Sequence, residues 1–348
     1  MKFSDLLYFG LQIPRLHLQP SFRIPLSMHL VLTNRCNNHC LYCNTHSFPQ
    51  EDLLTTKSLK NILSEMKKCG TRRIQFTGGE PMVRKDIGAL INFAKQLGFF
   101  VGLSTNGYQI AERVDELKGV DIVFLSYDGP GEAHISLRGQ SSLGEVYAAL
   151  GALKKAGIKA WTTSVLTKKN KDYLEDIVDF AKKNNILANF TRLEFVLKRS
   201  LSLHPFVDKV KELILSFEER REVFRKLIEL KASGGPVGDS FPYLKSVLEW
   251  PDNNRITDSA PAKRYKCWAG KAYGHLEADG KLYSCGWDSL RQAKGIDVLD
   301  KGFKFAWQNL VFPNNCRSCS HACGVENNLL FSLNYSSLWN ACKSLRGS

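Results

Sequence analysis

Short apolar runs alternate with amphipathic stretches along the first two thirds of the chain. The runs fall roughly at residues 27–33, 73–77, 99–105, 121–126, 158–166 and 186–196. Apolar runs of this length, bounded by polar turns, read as buried strands. Between them the period becomes helical. Leu59, Ile62, Leu63 and Met66 recur at i, i+3, i+4 and i+7 behind Thr55 and Thr56 as candidate caps; Ile87, Leu90, Ile91 and Ala94 repeat the pattern, with Gly98 as a C-cap. Strands that alternate with helices in this way predict an α/β fold with a parallel sheet and right-handed crossovers. Beyond residue 197 the pattern changes. Residues 205–232 read as one long basic helix broken by Gly234-Gly235-Pro236, residues 241–250 as a short helix, and 251–254 as a loop. The expected division is an N-terminal extension (1–26), a barrel-like unit (27–232), a bridge (233–266) and a cysteine-rich C-terminal part (267–348).

In parallel α/β barrels the chemistry gathers at the C-terminal ends of the strands, and four motifs sit at four successive strand exits. The first is Cys36-Asn37-Asn38-His39-Cys40-Leu41-Tyr42-Cys43, a C-x3-C-x2-C loop. Three thiolates on one loop can hold three irons of a four-iron cluster and leave the fourth open to a small molecule. A zinc loop, with His39 or His46 as fourth ligand, shares the C-x2-C element. The second motif, Gly78-Gly79-Glu80-Pro81, weighs against zinc: consecutive glycines let backbone approach a ligand closely, and a carboxylate accepts hydrogen bonds from an ammonium group. Ser104-Thr105-Asn106-Gly107 and Ser126-Tyr127-Asp128-Gly129-Pro130 follow; Asn-Gly and Asp-Gly-Pro are also ordinary turn sequences.

With the loop spacing, Tyr42 before its third cysteine and the Gly-Gly-Glu-Pro tetrapeptide together, the sequence resembles the radical S-adenosylmethionine (SAM) superfamily. The resemblance implies a partial (β/α)6 TIM-like barrel. It also implies a 4Fe-4S cluster on Cys36, Cys40 and Cys43 whose open iron chelates SAM, and reductive cleavage of SAM to a 5'-deoxyadenosyl radical. Gly78, Gly79, Glu80 and Pro81 would then hold the SAM amino group. Ser104 and Asn106 fall where the ribose and methionyl parts are contacted, with Ser126 beside them. Arg138, after the Asp128-Gly129-Pro130 and His134 run, would pair with the SAM carboxylate, a task suited to its planar fork.

The C-terminal third carries a second set of cysteines. Cys267 and Cys285 flank Gly280 in a C-x12-G-x4-C pattern, Cys316, Cys319 and Cys323 form C-x2-C-x3-C, and Cys342 stands near the end. Asp279-Gly280 between alternating segments is a hairpin signature. This pattern resembles the small SPASM or twitch extension of radical SAM enzymes, which binds auxiliary iron–sulfur clusters, although the full SPASM pattern has seven cysteines against six here. One auxiliary cluster on Cys267, Cys285, Cys316 and Cys319 is favoured. Two clusters, on Cys267, Cys285 and Cys323 and on Cys316, Cys319 and Cys342, or a structural zinc, are the alternatives. His275, His321, Trp287 and Asp288 flank these cysteines as candidate substrate or supporting groups, and Glu194 on the last barrel strand is a candidate acceptor. Cys69, ending a helix, reads as a buried apolar residue.

Composition alters this picture little. At 348 residues, 43% apolar and 24% charged, the chain has ordinary globular usage. Clustered cysteines without a secretory signal point to metal in a cytoplasmic protein rather than to disulfides. The net charge of +14 is spread without a block of five or more basic residues, so a nucleic-acid stripe is not expected. Residues 1–25 are neither a signal peptide nor a membrane span, and Phe3–Phe9 either touches a membrane surface or covers the barrel's lower end. The expected activity is hydrogen abstraction from an unactivated carbon of a peptide or natural-product precursor, with an auxiliary cluster assisting and an electron donor such as flavodoxin or ferredoxin. A lipid or isoprenoid substrate at the membrane is the alternative, and a non-enzymatic iron–sulfur carrier is the alternative of another class.

Overall fold

The computed structural model describes residues 3–139, 142–193, 210–251, 257–258, 265–286, 294–311 and 316–338. Six parallel strands, β1 (Ser27–Val31), β2 (Arg73–Thr77), β3 (Phe100–Thr105), β4 (Ile122–Ser126), β5 (Ala160–Leu166) and β6 (Ala188–Arg192), lie in sequence order in one open sheet. Helix α1 (Phe3–Leu18) precedes them. Helices α2 (Thr56–Lys68), α3 (Ile87–Gln96), α4 (Ile110–Arg113), α5 (Glu132–Arg138), α6 (Ser142–Lys155) and α7 (Leu174–Asn184) form the crossovers. All six expected strands and both periodic helices are present. Thr55 caps α2 by accepting from the Ser58 amide, and the chain turns after α3 at Gly98, whose φ of 75° is left-handed.

Alternate residues of each strand face the helices. Met28, Leu30, Ile74, Phe76, Val101 and Leu103 are fully buried against Leu59, Ile62, Leu63, Met66, Leu90 and Ile91. The other set, including His29, Arg73, Gln75, Gly102 and Ser104, therefore lines the inner face, because strand side chains alternate.

The C-terminal third joins the same sheet. β7 (Thr257–Asp258) comes first in chain order, and then β8 (Tyr273–Leu276) pairs in parallel with β1, matching His29 with His275. β9 (Lys281–Tyr283) and β10 (Ile296–Asp297) extend it antiparallel, so nine strands run β10-β9-β8-β1-β2-β3-β4-β5-β6. Gly280, at φ 80°, makes the expected hairpin turn. β11 (Ser318–Cys319) pairs with β7 in a separate two-stranded sheet. Helix α1 packs Ile13 and Leu16 against Trp268 and Phe331 beside the cysteine-rich segment, and His17 Nε2 lies 2.8 Å from the Phe331 carbonyl.

One expectation needs correction. The single helix over 205–232 is interrupted: residues 210–213 are helical, and a new helix, Phe217–Ala232, starts behind Ser216. The Ser216 hydroxyl accepts from the Glu219 amide while the Glu219 carboxylate accepts from the Ser216 amide, a capping box that ends one helix and begins another within an unbroken apolar period. Residues 205–209 lie outside the described residues. Among the described residues no helix is long and apolar enough to cross a membrane.

Candidate active site

The cysteine loop and the Gly-Gly-Glu-Pro loop are sewn together by backbone. Gly79 donates to the Thr33 carbonyl at 2.8 Å and Glu80 to the Arg35 carbonyl at 2.8 Å. A Cβ on Gly78 would stand 2.5 Å from the Thr33 oxygen, and one on Gly79 would stand 2.6 Å from the Asn34 oxygen. The two glycines thus serve the close approach of one loop to the other, where the sequence suggested approach to a ligand. Pro81 opens a short 3-10 turn, Pro81–Val83, behind Glu80.

Glu80 is 1% exposed. Its carboxylate accepts from the Met82 amide at 2.9 Å, the Thr105 hydroxyl at 2.8 Å and the Asn106 amide at 2.7 Å. Burial nonetheless pushes its pKa up to about 7, against those donors and Arg138. Asn106 turns its side chain to the cysteine loop, with Nδ2 2.8 Å from Asn37 Oδ1 and 3.9 Å from Cys36 Sγ. Ser104 accepts from Gln75 Nε2 at 3.0 Å, and Ser126 lies at the exit of the neighbouring strand.

Across the loop stands a buried charge centre that the sequence did not disclose. In the sequence Asp128 reads as a turn residue and as the start of the run that leads to Arg138, with no partner of its own. Its Oδ2 accepts from Tyr42 Oη at 2.6 Å and from Arg138 Nε at 2.6 Å, while Oδ1 accepts from the Val165 amide at 2.7 Å. Its own amide donates to His134 Nδ1 at 3.1 Å, and Asn170 Nδ2 donates to its carbonyl at 2.9 Å. His134 is lowered to about 4, by burial first and Arg138 second, so it stays the neutral acceptor this contact requires. Arg138 Nη1 reaches Cys40 Sγ at 3.8 Å, and the Leu41 amide donates to the Leu137 carbonyl.

Cys36, Cys40 and Cys43 form no disulfide. Burial raises all three thiols, Cys36 to about 11, while Arg138 opposes the rise at Cys40 and Cys43. Such thiols ionise when a cationic metal group displaces their protons. The N–H groups of Asn106 and Arg138 beside two of the sulfurs suit thiolate ligands of an iron–sulfur cluster. His46 Nε2 lies 2.8 Å from the Asn38 carbonyl, and its ring stacks on His39 at 3.9 Å, which engages the histidines of the zinc alternative with each other and with backbone.

In the C-terminal third three cysteines act on Tyr273, and Cys316 acts on one of them, Cys267. The Tyr273 hydroxyl is held well above its usual range by burial and then by the thiols of Cys267, Cys319 and Cys285; Cys267 is raised to about 11 by burial and by Cys316. Cys316 and Cys319 are buried and Cys323 is exposed. A Cβ on Gly324 would lie 3.1 Å from Cys319 Sγ and 3.8 Å from Tyr273 Oη, so a glycine keeps space beside that sulfur. The Cys319 amide donates to Tyr265 Oη at 3.1 Å. Neither tyrosine was anticipated from the cysteine spacing. Cys342, Glu194, Trp287 and Asp288 lie outside the described residues.

Comparison with known proteins agrees with this geometry. Residues 30–181 match the Radical SAM superfamily. Over 329 residues the chain is 28% identical to the mycofactocin maturase MftC of Mycolicibacterium smegmatis, covering 89% of this chain and 79% of the relative. Over 220 residues it is 29% identical to the PqqA peptide cyclase of Rhodopseudomonas palustris, covering 58% of this chain and 56% of that protein. The fold matches Streptococcus suis SuiB bound to its precursor peptide SuiA with a TM-score of 0.65 at 17% identity, over 85% of this chain and 67% of SuiB.

Replacing Asp128 with alanine leaves Arg138 buried without its carboxylate, and losing one partner of a buried pair costs about 3–5 kcal/mol. Anaerobic denaturant unfolding of D128A should show a loss of that order, whereas Lys118→Ala, removing the exposed Asp115 pair, should be nearly silent.

Proposed function

We propose that this chain, whose residues 30–181 are a radical SAM superfamily domain, is an enzyme that uses SAM and a 4Fe-4S cluster to modify a peptide. The observation that carries the reading is the union of two loops: three free thiols on one, bonded through backbone to the Glu80 loop, with N–H groups directed at the sulfurs. The cluster and SAM, when bound, supply one-electron cleavage of the sulfonium and thereby hydrogen abstraction from an unactivated carbon. Cys36, Cys40 and Cys43 would hold the cluster. Glu80 would receive the SAM ammonium group, with Thr105 and the Asn106 amide fixing its carboxylate. Arg138 and Tyr42, locked by Asp128, would set the far wall and leave the guanidinium's outer face for a carboxylate. The peptide substrate is inferred from the relatives, which include a PqqA peptide cyclase. An electron donor such as flavodoxin or ferredoxin completes the scheme.

For the auxiliary site, one cluster on Cys267, Cys285, Cys316 and Cys319 is the reading that the thiols around Tyr273 support. Cys323 is exposed, unlike Cys316 and Cys319, and acts electrostatically on Arg73.

Anaerobic incubation with SAM and dithionite should release 5'-deoxyadenosine, and the variant lacking Cys36, Cys40 and Cys43 should release none. Continued release by that variant would remove these cysteines from the reaction.

The raised pKa of Glu80 gives a pH signature. Below about 7 the buried group is protonated and pairs poorly with an ammonium, so SAM should bind about tenfold more weakly at pH 6 than above pH 8. Glu80→Gln should flatten that dependence. Without SAM the sign reverses for stability. A carboxyl whose folded pKa lies above its unfolded value contributes fully below about 4.5, and its contribution falls as pH rises toward about 7.

Iron counting tests the auxiliary assignment. The triple cysteine variant should retain about four irons per chain. A further Cys267→Ala should lose them and Cys323→Ala should keep them. About eight irons, or stoichiometric zinc, would overturn the one-cluster reading.

A further inference from the structure

Three inner-face positions place basic side chains together, away from the cysteine loop. On β1, Ser27 pairs with Arg73 and His29 with Gln75, while on the other side His29 pairs with His275. Met28 and Leu30 point into the core, so His29 and Arg73 occupy the opposite face. The rings of His29 and His275 stack at 6.4 Å and 28°. His29 is lowered to about 3 by burial, then by His275, Arg73 and His321.

Arg73 is the unusual member. It is half-buried by surface, yet packed closely enough that desolvation lowers its basicity. Among the described residues no carboxylate forms an ion pair with its guanidinium, and the Cys323 sulfur only partly offsets the loss of basicity that burial causes. The nearby Glu277 carboxylate lies 3.2 Å from His275 Nε2. Arg84 and Arg138, by contrast, each hold an aspartate at 2.8 and 2.6 Å. An enclosed guanidinium without a counter-charge costs stability, and a bound anion would repay that cost.

The next layer of this face is polar and largely buried. Gln75, two residues along β2, donates to Ser104 on β3. Gly102 between them has no side chain, and a Cβ there would collide with the Gln75 carboxamide. β2 therefore carries Arg73 at its start and delivers Glu80 just past its end. From Arg73 to Thr77 the strand rises about 13 Å, which an extended peptide of about four residues spans.

We propose that Arg73, with His29 and His275 beside it, forms an anion subsite on the inner face of the sheet that takes a carboxylate of the substrate peptide. The proposal rests on the peptide reading above and adds to it an anchor, set a few residues' reach from the SAM-binding end. The carboxylate comes from a C-terminus or an acidic side chain, and both present the same chemistry to a guanidinium.

Ligand-observed saturation-transfer NMR on the anaerobically reconstituted full chain tests it with three probes: N-acetyl-dialanine, its C-terminal amide, and N-acetyl-aspartate with its α-carboxyl amidated. At least one acid should bind about 10- to 100-fold more tightly than the neutral amide, as loss of a charge-assisted bond implies. Which acid wins names the source. Arg73→Gln should erase the preference and Arg73→Lys should keep part of it, with iron content and SAM binding recorded as checks on folding. Equal binding of acid and amide, or no binding of any probe by the wild-type chain, overturns the subsite, and this comparison needs no variant. Loss of auxiliary iron in Arg73→Gln with the acid preference intact would assign Arg73 to Cys323 and overturn it too. Because 5'-deoxyadenosine release is measured separately, the subsite can fail while the SAM-cleaving reading stands.

Discussion

A fully buried aspartate holds the active-site end of the sheet together. Asp128 leaves β4 and receives bonds from the cysteine loop through Tyr42, from α5 through Arg138 and from β5 through the Val165 amide. Its backbone is fixed in turn by His134 and Asn170. A carboxylate in that position would be expensive if any of these partners were missing. Each is present, so the charge becomes a constraint: the loop can close in only one place, with Cys40 under the Arg138 guanidinium. Backbone bonds from Gly79 and Glu80 fix the opposite side of the loop. Three thiols on an otherwise irregular segment are thereby held from two directions before any cluster binds, which lowers the conformational entropy lost on binding.

Legibility in the sequence followed the range of each interaction. The strands and the first helices could be read because alternation and helical period are local, and the first four strand exits carried their motifs where the parallel topology required them. The break at Ser216 escaped notice because the apolar period runs unbroken through it, and only the reciprocal Ser216–Glu219 bonds mark the boundary. Asp128 escaped for the opposite reason. Its sequence context, Asp-Gly-Pro, is an ordinary turn, and its value lies in partners up to 86 residues away. The roles of Gly78 and Gly79 were half-legible: close approach was foreseen, but what approaches is the chain's own Thr33–Arg35 backbone.

The second cysteine-rich segment reads from sequence as an appendage, yet β8 continues the barrel's sheet on the free edge of β1. An open parallel sheet leaves that edge unpaired, and an extra strand satisfies its backbone groups while blocking association there. The same pairing has a chemical consequence. Because β8 lies beside β1 in register, His275 comes against His29, and the strand's Tyr273 sits among the auxiliary cysteines. A hairpin that caps the sheet thus also fixes how far the auxiliary cysteines stand from the inner face.

That arrangement divides the inner face into two ends of opposite electrostatic character. At the exit of β2 stands an acid, Glu80, which burial pushes up to about 7 while the Met82, Thr105 and Asn106 donors favour its ionised form. At the start of the same strand stands Arg73, near the His29 imidazole and, among the described residues, without a carboxylate in ion-pair contact. A peptide lying along β2 with its carboxylate at Arg73 would have its other end directed toward the cysteine and Gly-Gly-Glu-Pro loops, and an amino end at Arg73 would set like charges together. In a low-dielectric enclosure such a mismatch is costly even at several ångströms. If Arg73 takes a carboxylate as proposed, the charge pattern of β2 and the loop after it favours one orientation of the peptide over the other.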